Sequence, residues 1–400
     1  MGTVFLIITI ITFTIYMYNS ILSIACFKKF VIPNTDCENH YNSFSILVPC
    51  HNEEEVIYDT MSYLDKLEYD KKYFNVYMIL DNCTDGTEKE FYRYITENGR
   101  SNFNKIIVSG GSKPKALNNA ISILKNENKW NDDNIIVLDA DNKISPTLLK
   151  SYNYYHNRGE KIIQCRILSD NDNNLVSQGF TSSFNLMGLS FQYARNVFGL
   201  SASLSGTGFS VDRKIFDEVD FTKCDTLTED LEFSVLCILK GYKIKYVPNE
   251  YVLNNHLEEI KPSIVQRIRW CRGHMQTAVK LDKDIVKTFF KKPSIQILDT
   301  FLFVNNPPKS IIYLIANIGS FILSCHTKSN IFTIILILLL IFNFIVVMKA
   351  NDWKLKYIIP HIVFAATMKI SLFIGTITFK KSKWIKTTHK RNTSIWIIWQ

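Results

Sequence analysis

The chain has 400 residues, 47% of them apolar, and a formal net charge of +9, which suits one large domain or two. A positive charge can point to a nucleic-acid partner, but here lysine and arginine gather beside apolar blocks, at Lys28-Lys29, Lys291-Lys292 and from Lys380 to Arg391, which argues against one. Such basic flanks mark the cytoplasmic side of membrane segments. Nine cysteines with no C-x-x-C pair read as reduced cytosolic thiols rather than zinc ligands or disulfides.

Residues 3–27 carry no charge and are about long enough to cross a bilayer core. Residues 1–28 are therefore expected to be an uncleaved transmembrane anchor, with Lys28 and Lys29 holding the next residues of the chain in the cytosol. A polar linker then leads to a soluble domain over residues 43–285.

That domain opens with an apolar strand, Phe44 to Pro49, followed by Cys50-His-Asn-Glu-Glu-Glu55. Asn52 is expected to cap a helix whose first turn carries Glu53, Glu54 and Glu55. A second strand, Val76 to Leu80, ends at Asp81, where an acid can accept bonds from a nucleotide's base or ribose. A third, Lys105 to Val108, leads through Gly110-Gly111 and Lys113-Pro-Lys115 to a helix from Ala116. The fourth, Ile135 to Leu138, runs into Asp139-Ala-Asp141. Two carboxylates at i and i+2 of an extended segment project to the same side and can share a hard cation such as Mg²⁺ or Mn²⁺. Strands alternating with helices predict an α/β fold with a parallel, doubly wound sheet, and all these acids lie at the carboxyl edge where ligands bind.

Beyond it, Ser201 to Phe209 is small and glycine-bearing, so its backbone can approach a ligand closely. Thr226 to Gly241 reads as a helix, with Thr226 and Glu229 fitting a capping box and Gly241 the position past the end. Asp230 falls in its first turn, either as a dipole stabiliser or as a general base. Farther on, Gln266, Arg269, Trp270 and Gly273 share one helical face. An amide, a guanidinium and an indole suit a diphosphate and a sugar ring, the alternative being a core tryptophan between surface arginines. Arg267 and Arg272 fall on other faces, as solvated or membrane-facing charges.

Residues 293–380 return to the membrane. Ile295–Val304 reads as interfacial, and Ile311–Cys325 with Ile331–Met348 as a transmembrane hairpin. A third segment, Tyr357–Phe379, carries Pro360, His361 and Lys369 and suits contact with other helices or a channel. Residues 381–400 form a basic tail assigned to the cytosol. Counting spans puts it outside, unless the third segment is re-entrant or interfacial.

From about residue 44 to 275 the chain resembles the inverting, membrane-bound family 2 glycosyltransferases of GT-A fold, the group of cellulose, chitin, hyaluronan and poly-N-acetylglucosamine synthases. The resemblance rests on Pro49-Cys-His-Asn-Glu-Glu54, Asp81-Asn-Cys-Thr-Asp85, Lys113 to Asn118, Asp139-Ala-Asp141, Ser205-Gly-Thr-Gly208, Thr228-Glu-Asp230 and Gln266-Arg-Ile-Arg-Trp270. It implies inverting transfer from a UDP-sugar to a saccharide or lipid-linked acceptor, in cell-surface polysaccharide or glycolipid synthesis at a bacterial-type cell membrane. The donor would meet Pro49, His51, Glu53, Asp81, Lys115, Asp139, Gln266 and Arg269, with Asp139 and Asp141 on Mn²⁺ or Mg²⁺. The acceptor would meet Gly206, Thr207, Gly208, Glu229 and Trp270, with Asp230 as base. In the tail, Trp384-Ile-Lys-Thr-Thr-His389 resembles an element of poly-N-acetylglucosamine synthase relatives, which implies that Trp384, Thr387 and His389 close over the donor. Departures are Ser112 where the family has glycine, and a single amino-terminal span, which bears on polymer translocation. A polyprenyl-phosphate sugar transferase and a non-catalytic, nucleotide-sensing membrane subunit are the alternatives.

Overall fold

A computed structural model of the chain describes residues 2–35, 38, 40–99, 102–307 and 331–381. The expected segment Ile311–Cys325 and the tail residues Trp384, Thr387 and His389 lie outside the described residues. All four expected strands form, as β1 (Phe44–Cys50), β2 (Phe74–Asp81), β3 (Phe103–Val108) and β4 (Asn134–Val137), and they pair in parallel in the order β3-β2-β1-β4. Between them run α2 (Ile57–Asp65), α3 (Thr87–Asn98) and α4 (Lys113–Asn126); α1 (Gly2–Ser23) precedes them all.

The second half extends the sheet to eight strands. β5 (Lys143–Ile144), β6 (Ile162–Ser169), β7 (Phe209–Asp212) and β8 (Ile244–Asn254) complete the order β3-β2-β1-β4-β7-β6-β8-β5. β7 runs antiparallel to both β4 and β6, and β5 antiparallel to β8, so the sheet is mixed although mostly parallel. The reversal at β7 matters for the site. It brings the end of the Ser201–Thr207 segment, entering from the sheet's carboxyl edge, beside the end of β4.

Both faces of the sheet are covered, so the strands read as continuous apolar runs. Ile46 and Val48 pack on one face with α2, α3 and α5 (Leu148–Asn157), whereas Leu47 and Val137 pack on the other with α4, α8 (Arg213–Val219) and α9 (Glu229–Leu239). The remaining helices are α6 (Leu175–Leu186), α7 (Ala194–Val197), α10 (Ile260–Lys291) and α11 (Ile295–Val304), followed by the helices Ile331–Ala350 and Ile358–Ile377.

Among the described residues two helices, over Ile10–Phe27 and Leu355–Ile377, are long and apolar enough to cross a membrane. α11 has one face, Ile297, Thr300 and Val304, in the protein, while Ile295 and Leu298 are exposed. On the buried face Asp299 accepts bonds from Arg195 of α7 (2.9 and 3.0 Å) and from Tyr18 of α1 (2.9 Å). A buried ion pair is stabilising only when such bonds complete it, and here it ties the first helix to the domain.

Ile358–Ile377 lies along α10 and α6, burying Pro360, Ser371, Leu372 and Gly375 and exposing Ile359, Ile362, Ile370 and Phe373. Arg267 is the correction here. Instead of a solvated charge it is 2% exposed, donating to Phe364 O (3.1 Å), Thr367 Oγ1 (2.9 Å), Ser263 O (3.1 Å) and Ser263 Oγ (2.9 Å). Arg272 donates to Thr378 Oγ1 (2.9 Å), just past the end of the same helix. Helical periodicity put both arginines off the motif face, and the later helix covers the side on which they lie.

Candidate active site

Neighbouring parallel strands deliver their following loops to one edge. After β1, Asn52 adopts a left-handed backbone (φ 56°) and its Oδ1 accepts from Thr84 N–H (2.8 Å) in the loop after β2. Glu54 accepts from Gly86 N–H (2.7 Å), and Glu53 N–H donates to Thr87 Oγ1 (2.8 Å). Asn52 thus staples two loops rather than capping a helix: α2 starts only at Ile57, after a turn closed on the Glu53 carbonyl. His51 Nδ1 lies 2.6 Å from Asp81 O, so that nitrogen carries the proton and the ring is fixed at the edge.

Asp81 is 5% exposed. Its carboxylate accepts from Gly110 N–H (2.6 Å), Gly111 N–H (2.9 Å) and Asn82 Nδ2 (2.9 Å), so most of its lone pairs hold the Gly110–Gly111 turn. A Cβ on Gly110 would lie 2.5 Å from Ala116 N, which leaves glycine the only fit. Asp81 therefore shapes this wall of the cleft, where the sequence led to an open carboxylate.

The turn aims Lys113, at the start of α4, across the edge. Its Nζ donates to Asp139 Oδ1 (2.5 Å) and Gly206 O (2.6 Å). Lys115, the sequence-based candidate, stands exposed on the same turn. Opposite, Asp139 N–H donates to Thr207 Oγ1 (3.0 Å), and the Thr207 hydroxyl in turn donates to Asn142 Oδ1. The Asp139–Asp141 turn is thus locked by one buried hydroxyl.

Of the glycine-bearing loop, Ser205 and Gly206 are half-buried and the rest is buried; a Cβ on Gly206 (φ 79°) would lie 3.6 Å from Asp230 Oδ2. Thr207 is 2% exposed, and a Cβ on Gly208 would lie 2.7 Å from Cys165 Sγ and 2.8 Å from Val252 Cγ1. Thr207 and Gly208 therefore act on the protein itself, not as an exposed acceptor surface.

Glu229 and Asp230 open α9 and face this loop. The expected capping box does not form: the helix starts at Glu229 after Thr228, and Thr226 pairs with the Thr277 hydroxyl (3.2 Å). Instead Glu232, fully buried, accepts from Asp225 and Thr226 N–H (3.1 Å each) and pairs with Lys280 (2.5 Å), which fixes the approach to the helix. Burial pushes the Asp230 carboxyl up from its ordinary value. Burial, with the Asp230 charge beside it, pushes Glu229 up to about 7, against the pull of Lys113. Burial alone would depress Lys113; the Asp139 and Glu229 charges outweigh it and raise its pKa.

α10 closes the site. A Cβ on Gly273 would lie 2.5 Å from Thr228 Cγ2, so the glycine lets α10 rest on the start of α9. Arg269, on the same face, has a buried Nε with no hydrogen-bond partner among the described residues. Burial lowers its pKa, offset by the charges of Glu229, Asp139 and Asp230. A buried guanidinium nitrogen left unpaired costs about 1–3 kcal/mol, which an anionic ligand would recover. Trp270 meets Phe180 and Phe184 of α6 edge-on, each with centroids 6.2 Å apart. The structure thus brings Lys113, Asp139, Glu229, Asp230 and Arg269 within electrostatic reach of one another.

Among the described residues no three His, Cys, Asp or Glu side chains form a closed metal site. Two adjacent carboxylates do fit a hard cation whose other ligands come from a diphosphate and water. Sequence reasoning missed Lys113, Thr207's locking role, and Asn142. Lys113 was legible as the lysine of the matched Lys113–Asn118 segment.

Comparison with known proteins agrees. Residues 45–220 match the model described as glycosyl transferase family 2, and residues 134–370 the glycosyl transferase family group 2. The chain is 27% identical over 277 residues to the probable glycosyltransferase YdaM of Bacillus subtilis (strain 168), covering 65% of this chain and 61% of that one. It is 26% identical over 233 residues to the poly-β-1,6-N-acetyl-D-glucosamine synthase of Staphylococcus aureus (strain COL), covering 57% and 54%. The matches thus span little more than half the length of these relatives. In fold it is similar to the mannosyltransferase PcManGT from Pyrobaculum calidifontis, solved in complex with GDP-Man and Mn²⁺ (TM-score 0.58, 13% identity, 94% of this chain and 99% of that one). Matched over more than half its length by the family group 2 model, the chain belongs to the family 2 glycosyltransferases.

Proposed function

We propose that the chain is an inverting, metal-dependent glycosyltransferase that moves a sugar from a UDP-sugar to a saccharide or lipid-linked acceptor at a membrane, in the synthesis of cell-surface polysaccharide or glycolipid. The observation that carries this reading is the convergence of Lys113 and Arg269, the latter with an unpaired buried Nε, on the carboxylates of Asp139, Glu229 and Asp230. Two cations beside paired acids suit a nucleotide diphosphate. Asp139 and Asp141 would hold Mn²⁺ or Mg²⁺, which when bound neutralises charge on the departing UDP.

In this reading Lys113 releases Asp139 and turns to the diphosphate, and Arg269 stabilises the leaving group. Asp230, its pKa raised by burial, accepts the proton of the acceptor hydroxyl as that oxygen attacks the anomeric carbon from the opposite face. Trp270 stacks on the acceptor sugar, with Glu229 beside it. His51, Pro49 and Glu53 bound the base side, and Gln266 the diphosphate side. The synthase among the relatives supports a saccharide acceptor, and the Mn²⁺ complex of the structural neighbour supports a divalent cation. The apolar helices Ile10–Phe27 and Leu355–Ile377 support membrane attachment, and Lys28-Lys29 after the first of them supports a cytosolic catalytic domain.

The test is release of nucleoside diphosphate by the detergent-purified chain with Mn²⁺ and single donors: a panel of UDP-sugars, and GDP-mannose. Release from one UDP-sugar, abolished by chelation, is expected. Release from GDP-mannose alone would overturn the UDP assignment, and undiminished release in chelator the metal dependence.

A further inference from the structure

α6 does not end at Leu186 but continues as a π-helix from Met187 to Tyr193, followed by α7. π turns are rare and costly, and each inserted residue rotates everything downstream by about 100°. Here the wide turn coincides with a close packing: a Cβ on Gly188 would lie 2.6 Å from Tyr246 Oη. The same segment turns Gln192 inward, where it is 2% exposed.

Gln192 reads the backbone beside it as a neighbouring strand would. Its Oε1 accepts from Ser203 N–H (2.8 Å), while Nε2 donates to Ser203 O (3.0 Å) and Ser205 Oγ (3.2 Å). Gln164 of β6, fully buried, continues the pattern, accepting from Ser205 N–H (2.9 Å) and donating to Thr207 O (3.0 Å). Ser201–Thr207 belongs to no strand. Two glutamine amides therefore replace the sheet partner this segment lacks, and satisfy polar groups that would otherwise be buried unpaired.

That segment ends in Gly206 O, which receives Lys113, and the Thr207 hydroxyl, which locks the Asp139 turn. The other end of the continuous α6–π helix carries Phe180 and Phe184 against Trp270. One element thus spans from the acceptor-side tryptophan to the loop on the carboxylates.

We propose that Gln192, with Gln164, is a positioning residue that fixes the Ser201–Thr207 loop, and with it Lys113 and the Asp139 turn, relative to the aromatic face at Trp270; this rests on the sugar-transfer reading above. Loosening the clamp lets the loop shift relative to the aromatic face, and a misplacement of about 1 Å costs roughly 100-fold in rate.

The test compares Gln192→Leu with Gln192→Glu, which keeps the length and the acceptor for Ser203 N–H, in the full-length chain. kcat for transfer is expected to fall about 100-fold in the leucine variant and less in the glutamate variant. Donor KM should stay within about threefold, and nucleotide release without transfer should rise relative to transfer. Hydrogen exchange should accelerate at the Ser203 and Ser205 amides while the amides of β1 and β4 stay protected. Unchanged kcat in both variants, or a loss of donor binding with exchange accelerated throughout the sheet, would overturn the proposal. Should the leucine variant fail to fold, the glutamate variant alone decides by the same readouts. If the wild-type chain transfers no sugar, the transfer reading has failed, and local acceleration at Ser203 and Ser205, or its absence, still decides the clamp.

Discussion

Thr207→Val removes one hydroxyl without changing side-chain volume, and the consequences can be worked from two bonds. Asp139 N–H loses its acceptor at 3.0 Å, and Asn142 Oδ1 loses its donor. Each buried group left unsatisfied costs about 1–3 kcal/mol. Asn142 is 2% exposed, so water cannot replace the hydroxyl there, whereas the bond at the Asp139 N–H is only partly buried. The expected loss is therefore about 2 kcal/mol, set mainly by Asn142, or roughly 5 °C in the unfolding midpoint of a domain this size. Because the same hydroxyl orients the Asp139 turn, the Mn²⁺ concentration for half-maximal activity should rise as well. Thermal unfolding by intrinsic fluorescence and Mn²⁺ titration of nucleotide release read the two effects separately. Thr207→Ser, which keeps the hydroxyl, should stay near wild type in both. A valine variant indistinguishable from wild type in midpoint and metal response would refute the locking role.

Lys113→Ala should lower kcat by about 10- to 100-fold, since it removes the cation proposed to meet the diphosphate, whereas Lys115→Ala should stay within about twofold; steady-state rates of the two variants check this. Arg267→Ala should cost about 2–5 kcal/mol by emptying a buried volume between α10 and Ile358–Ile377, and Arg267→Met should recover part of it by filling that volume, both read as unfolding midpoints. With the Glu229 carboxyl raised from its ordinary 4.5 to about 7, the folded state keeps a proton that the unfolded chain has lost between those values. Stability should accordingly fall as pH rises through that window and level off above it. Glu229→Gln should flatten the fall by roughly 1–3 kcal/mol between pH 5 and 8 in denaturant titrations.

The first half of the fold was legible because β1 to β4 are apolar runs punctuated by acids and glycines, a pattern that fixes both the strands and the edge where their loops gather. The Asp139–Asp141 pair, Asp230 and the Gln266–Trp270 face were legible as local patterns, and the fold brings Asp139, Asp230 and Arg269 within electrostatic reach of one another. What local pattern could not supply was the partner from elsewhere in the chain. Asn52 looked like a helix cap because four polar residues precede an apolar stretch, yet its partner is Thr84, on the neighbouring strand's loop. Thr226 and Glu229 had the spacing of a capping box, but Glu232 takes the loop amides, so the helix starts later. Arg267 lay off the motif face of α10, and the packing of Ile358–Ile377 against its own side of the helix buries it. Lys113 and Lys115 differ by about 200° around α4, and the direction that faces Asp139 is set by the Gly110–Gly111 turn.

The central claim is that Asp230 is the base of a sugar transfer at this edge, and Asp230→Asn tests it most directly. In the purified chain with Mn²⁺ and the donor that the wild type uses, the variant is expected to bind UDP within about threefold of wild type while transfer falls by about 100- to 10,000-fold. Transfer near the wild-type rate in a variant that still binds UDP would contradict the account.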